Sequence, residues 1–182
     1  MLGFISVWAL SEAIFFFLVA DIPIMALGMM KGWRKALVGA GFAALAAAIG
    51  GGCVYLWSST NPEEVYTLML AIPAIDETLL NKVSDDWHNG GAINMAKGSF
   101  SGVPYKLYAH VAGVTSNQSI AGLVGFFLAS ILARLPRFAL VAGIAGWLGP
   151  RLIKRFGARY IWTGFFLGWA GFYALYWSVT GF

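Results

Sequence analysis

Charge is scarce in this chain. Of its 182 residues only 11% are Asp, Glu, Lys or Arg, against about 25% in an average soluble domain. A single domain of this length has a large surface for its volume. So few charges cannot cover it, which excludes an ordinary soluble globular domain. Hydrophobic residues make up 59% and aromatics 16%, and the mean hydropathy is +0.74. That excludes a disordered chain, which lacks apolar groups to bury. Cysteine is nearly absent. The single Cys53 permits no intrachain disulfide, so the chain is no disulfide scaffold. Histidine is scarce too, with two in the chain. One cysteine and two distant histidines, His88 and His110, give no metal-ligand spacing. No Ser, His and Asp grouping stands out, and the glycines at 39, 41 and 50–52 follow no strand, so they form no phosphate loop. The sequence therefore predicts no catalytic residues, no metal, no cofactor and no enzyme. The solvent that suits it is a lipid bilayer.

What the chain has in abundance is long apolar runs. Residues 36–57 carry no charge over 22 positions, enough to cross a hydrocarbon core at about 1.5 Å per residue. Residues 160–182 predict a second span, with Trp162, Tyr173, Tyr176 and Trp177 toward its ends, where aromatic belts form. Residues 119–149 are apolar but long, and Arg134, Pro136 and Arg137 interrupt them. Proline removes a backbone donor. The expectation is a helix to about 134, a break, and a second piece closed by Gly149-Pro150. Small residues recur at Gly39, Ala43 and Ala47, and as Gly164 and Gly168. Such faces let helices approach closely in lipid, either within the chain or between protomers of a homo-oligomer.

Two shorter segments are broken and carry ionisable groups. Residues 1–30 hold Glu12 and Asp21 inside apolar sequence, and Pro23 breaks it. A secretory signal has a basic start and no acid in its core, so a re-entrant hairpin fits better. Residues 98–113 repeat the character, with Gly102, Pro104, Lys106 and His110. Each segment precedes a long helix. Paired interrupted segments point to an inverted-repeat transporter. Residues 58–97 are the soluble-looking part. Asn61-Pro62-Glu63-Glu64 reads as a helix start. Val65, Leu68, Met69 and Ile72 follow at helical spacing until Pro73. A second amphipathic helix then carries Ile75, Leu79, Leu80, Val83 and Trp87, before a turn at His88–Gly91. These helices either lie on the membrane surface or pack on the bundle. Asn117-Gln118-Ser119 fits a glycosylation pattern, one common by chance.

The net charge of +4 is segregated. Lys31, Arg34 and Lys35 form one basic cluster and Arg151, Lys154, Arg155 and Arg159 another. Residues 58–97 hold six acids against two lysines, a local balance of −4. Basic clusters flanking apolar runs follow the positive-inside pattern, whereas a nucleic-acid binder shows a continuous basic face. No nucleic-acid partner is expected. Both basic clusters then face the cytoplasm and the acidic segment faces out.

The informative residues are charges inside apolar segments: Glu12, Asp21, Lys106, Arg134 and Arg137. A charge at the bilayer centre costs a few kcal/mol on the mildest scale, so it is paired or faces water. The first half supplies two acids and the second half three bases. A shared acid–base cavity satisfies both. The same residues read alternatively as ion pairs that hold broken helices, or, for the arginines, as side chains snorkelling to an interface. His110 reads as a packed residue before a proton relay.

The segment SEAIFFFLVADIPIMALG resembles the first re-entrant segment of the DedA membrane proteins, also called the SNARE-associated or VTT-domain family. Glu12, Asp21 and Gly28 fall on that pattern's spacings of nine and seven. AAAIGGGCVY, ending in Tyr55, looks like the family's Gly-rich helix, with Gly51 where many members carry an acid. SGVPYKLYAHVAG is similar to the second re-entrant segment, with Pro104 and Gly113 in the expected places. The main branch has two arginines around that proline; here Ser101 and Leu107 stand there, and Lys106 is the nearby cation. ASILARLPRFAL, with Arg134 and Arg137, looks like a smaller subgroup. The resemblance covers about residues 8–150. It implies an all-α, multi-pass inner-membrane protein with two re-entrant hairpins in inverted repeat. It also implies a transporter that moves an anionic lipid or polyprenyl-phosphate carrier between leaflets, in some cases coupled to protons. Lys106, Arg134 and Arg137 would receive the phosphate, and Glu12 and Asp21 would titrate or pair with them. The alternatives are a small ion- or solute-coupled transporter and a non-transporting membrane scaffold.

Overall fold

The structure is a computed structural model. It describes residues 1–15, 18–72, 74–116 and 119–180, with backbone alone for 179 and 180. The described residues form helices and no strand: α1 (Leu2–Ile14), α2 (Asp21–Lys31), α3 (Trp33–Thr60), α4 (Pro62–Leu70), α5 (Glu77–Ser101), α6 (Tyr105–Thr115), α7 (Ile120–Phe156) and α8 (Ala158–Thr180). Two of them, α3 and α7, are long and apolar enough to cross a membrane, with mean hydropathies of 1.9 and 1.7. α8, expected as a second span, does not join them on that measure; its tryptophans and tyrosines lower its hydropathy.

α3 and α7 pack antiparallel through small residues. At one end the Tyr55 and Phe126 rings stack 5.4 Å apart. At the other, a Cβ on Gly146 would lie 2.3 Å from the Cα of Trp33, and one on Gly28 would lie 2.8 Å from the Gly146 nitrogen. Backbones this close leave room only for glycine. The antiparallel pairing brings Lys31, Arg34 and Lys35 to the end of the body that holds Arg151, Lys154 and Arg155. Gly39 accepts Leu27 and Ile5 in the same way, its Cβ position 2.8 and 3.2 Å from their methyls. Ala43 and Ala47 are fully buried beside it. The small-residue face of α3 is therefore an intrachain packing face.

Several expectations are corrected. α7 runs unbroken from Ile120 through Pro136 and Pro150 to Phe156, where a break and a stop were expected. Proline's fixed φ fits a helix, and each proline removes one hydrogen bond. Packing of a continuous apolar helix outweighs that loss. Pro23 does not break the first hairpin. It sits in the first turn of α2, where its missing N–H has no partner to lose, and α1 ends earlier, at Ile14. The turn or loop expected at His88–Gly91 is a single sharp kink between two helical pieces. α5 continues through it and kinks at Gly91 (φ 46°, ψ −122°). Across the kink the Asn94 side-chain amide donates to the Asp86 carbonyl at 2.9 Å, which replaces helical bonding lost there. The arm leading to Gly102 thus begins at the kink, before residue 98. Gly102 ends it at φ 84°, the left-handed conformation glycine favours.

Asn61 does precede α4, with Pro62 first and Glu63 and Glu64 in the first turn. Its side chain makes no cap bond and donates to Thr60 Oγ1 instead. Asp76 caps α5, accepting from the Leu79 N–H at 2.7 Å. Val65 and Val83 are fully buried, so α4 and α5 pack on the bundle. The stop at Pro73 and the Asn117-Gln118 part of the glycosylation pattern lie outside the described residues.

Candidate functional site

The five charges singled out from sequence sit on four helices. Glu12 lies in the last turn of α1, Asp21 opens α2, Lys106 is second in α6, and Arg134 and Arg137 lie three apart on α7. A spacing of three puts two side chains on neighbouring positions of one helix face. That face meets the first hairpin. Arg134 Nη2 donates to Oε1 and Oε2 of Glu12, both at 2.7 Å. Arg137 Nη2 donates to Asp21 Oδ2 in a second ion pair, and its Nη1 donates to the Ser99 carbonyl of α5 at 2.5 Å. α7 therefore clamps α1, α2 and α5 at adjacent positions.

The two pairs differ in surroundings. The Arg134 guanidinium lies 4.7 Å from the centre of the Tyr105 ring and 4.9 Å from that of Phe138. Aromatic faces attract a desolvated cation by roughly 2 kcal/mol or more. Its Nη1 has no hydrogen-bond partner among the described residues. On Asp21, 4% exposed, Oδ1 has none either. A buried polar atom left unpaired costs about 1–3 kcal/mol.

Beside Arg134 opens a cavity of about 170 Å³, room for several waters. Glu12, Lys106, Arg134 and Arg137 line it, and Asp21 does not. Asp21 holds Arg137 from behind. Lys106 is buried at 5% exposure. The lining formally carries three cations and one acid, or +1 once Asp21 is included. Phe172, Tyr173 and Tyr176 of α8 supply an uncharged aromatic wall.

Sequence reading missed three residues that shape this place. The Tyr105 hydroxyl donates to Ser130 Oγ at 2.7 Å, and Ser130 donates to the Phe126 carbonyl at 2.7 Å. This chain fixes the ring on which Arg134 rests. The ring fits because residue 51 is glycine: a Cβ there would stand 2.0 Å from the Tyr105 oxygen. The third is Tyr173, expected in an aromatic belt. It is instead buried, and its oxygen accepts the Val19 N–H at 3.0 Å. The proximity of Tyr105 to Lys106 was a usable signal. Tyr173 gave none, because its partner is 154 positions away. His110 is packed, with Nδ1 3.0 Å from Ser58 Oγ, and His88 is exposed and bonded to the Ser84 carbonyl. Among the described residues no group of His, Cys, Asp or Glu is placed to hold a metal.

No protein-family profile and no solved structure matches the chain. A protein of Histophilus somni described as "Uncharacterized protein HI0703 homolog" is 34% identical over 71 residues, 39% of this chain and 33% of that protein. The chain thus spans about a third of the length of the curated relative it matches.

Proposed function

We propose that this chain is a multi-pass protein of the inner membrane that moves an anionic lipid or lipid phosphate between leaflets, as the resemblance to the DedA proteins implies. In this reading α1–α2 and the α5–α6 arm are two re-entrant hairpins in inverted repeat. Each precedes a long spanning helix, α3 or α7, and α8 adds a third span. Broken backbone at membrane depth is tolerated where protein or a water-filled cavity surrounds it, and both hairpins border the cavity.

The observation that carries the reading is the cavity in which Glu12, Arg134, Arg137 and Lys106 converge. A guanidinium and an ammonium together suit a phosphate group. The unpartnered Nη1 of Arg134 offers the first donor. An arriving phosphate competes with Glu12 for Arg134, and the proton coupling that the resemblance implies for some members would act on the same pair. Phosphate binding and proton uptake then share one cation, which couples them. The substrate replaces one anion by another, so the arginine is never left uncompensated. In this reading the chain makes and breaks no covalent bond.

Purified protein in liposomes tests this. Fluorescent phospholipid and a polyprenyl phosphate are followed with and without a proton gradient. Wild type is expected to move at least one of them faster than empty liposomes, and Glu12→Gln and Arg137→Ala, folded by their melting profiles, to fall at least tenfold. Equal lipid movement in empty liposomes and in all three samples would overturn the lipid reading.

A further inference from the structure

The cavity is two-sided in chemistry. Its charged groups come from α1, α6 and α7, whereas α8 contributes rings alone, and α8 carries no charge after Arg159. Phe172 lines the cavity and is 53% exposed. Val19, in the 18–20 segment that separates α1 from α2, lines the cavity as well.

α8 is the least embedded wall. Of its side chains over 158–178 only Tyr173 is buried. That residue fastens the helix to the first hairpin through the Val19 N–H. The joint to α7 is Gly157 at φ +91°, a left-handed position that carries no side chain into the joint.

We propose that the aromatic wall of α8 is a hydrocarbon-chain site. Phe172 and Tyr176 hold the apolar part of an amphiphilic phosphate whose head lies at Arg134 and Lys106, and the chain leaves through the seam that Tyr173 fastens to Val19. This rests on the anion reading above and adds to it the place where the ligand's alkyl chain lies. Inorganic phosphate fills the charged end alone. A chain entering beside Phe172 removes apolar surface from water on both partners, and each buried methylene strengthens binding by roughly threefold to fourfold.

The test is titration of inorganic phosphate, butyl, hexyl and octyl phosphate into the protein in amphipol, followed by calorimetry. Wild type is expected to bind all four, with affinity rising about threefold per methylene. In Phe172→Ser/Tyr176→Ser the rise per methylene falls below about 1.5-fold while inorganic phosphate binds within twofold of wild type. An equal slope in both proteins overturns the chain site and leaves the anion reading standing. A wild type that binds inorganic phosphate with no gain from the chain does the same. A wild type that binds none of the four overturns both. Should the double variant not fold, an octyl phosphate with a terminal photoreactive group replaces it on wild type. Labelled peptides from residues 160–178 support the site, and labelling confined to other helices overturns it.

Discussion

α3 and α8 use the same small-residue vocabulary for different ends. On α3, the Cβ positions of Gly39, Gly50 and Gly51 would fall within 2.8 Å of neighbouring atoms. On α8, those of Gly164, Gly168 and Gly171 meet nothing within 4 Å. Within this chain, then, a run of small residues at helical spacing is a packing face on α3 and an open face on α8. Spacing says that close approach is permitted; a partner of matching shape decides whether it happens. α3, held between α1 and α7, is the scaffold against which the site is built. α8 is a wall fastened at few points.

Substitutions that probe this contrast rank by expected effect. Gly146→Val is the most severe. The new side chain would drive into the Trp33 backbone, and overpacking against backbone costs about 3 kcal/mol or more. Loss of folded protein on size-exclusion chromatography is expected, and a wild-type melting profile would break the contrast. Arg134→Ala comes next. It takes from the largely buried Glu12 its bonded partner, with Lys106 and Arg137 left as the other cations of the cavity, and removing one partner of a buried pair costs about 3–5 kcal/mol where water is excluded. The cavity admits water here, so the lower end is expected, as a fall in melting temperature. Glu12→Gln/Arg134→Met should recover much of it. Gly51→Ala displaces Tyr105, a ring tip rather than backbone, at about 1–3 kcal/mol. Its larger consequence is functional: Arg134 loses its platform, so binding of inorganic phosphate should weaken more than stability does. Gly164→Ala with Gly168→Ala is the mildest. With open space at both positions, stability should stay within about 0.5 kcal/mol. A shift from dimer to monomer in that variant would show that a second copy of the chain uses the face.

Much of the outline was legible in the residues. The uncharged run at 36–57 marks α3, which the structure extends by three residues at each end. The acids of the first half and the bases of the second are brought together as Glu12–Arg134 and Asp21–Arg137. Pattern carries this because a charge in apolar sequence has few tolerable places. Local rules failed where tertiary packing overrode them. Pro136 reads as a break, yet α7 is buried along one face and stays helical. Four residues with turn chemistry, His88–Gly91, shrink to one kinked glycine because Asn94 and Asp86 bond across it. The bond from Tyr173 to Val19 and the fit of the Tyr105 ring against Gly51 were silent, since a contact between residues far apart along the chain leaves no periodic trace.

Pro136 has one more consequence. It stands 17th in a helix of 37 residues, close to its midpoint, and it deprives the Leu132 carbonyl of its helical donor. Bending stiffness of a helix is lowest where a rung of its ladder is missing. Arg134 and Arg137 flank that weak point, one tied to α1 and the other to α2. Any flexure of α7 is thus concentrated at the fulcrum between the two ties, and it lengthens one tether relative to the other. The long helix behaves as a beam scored at its middle, with the first hairpin strung across the score.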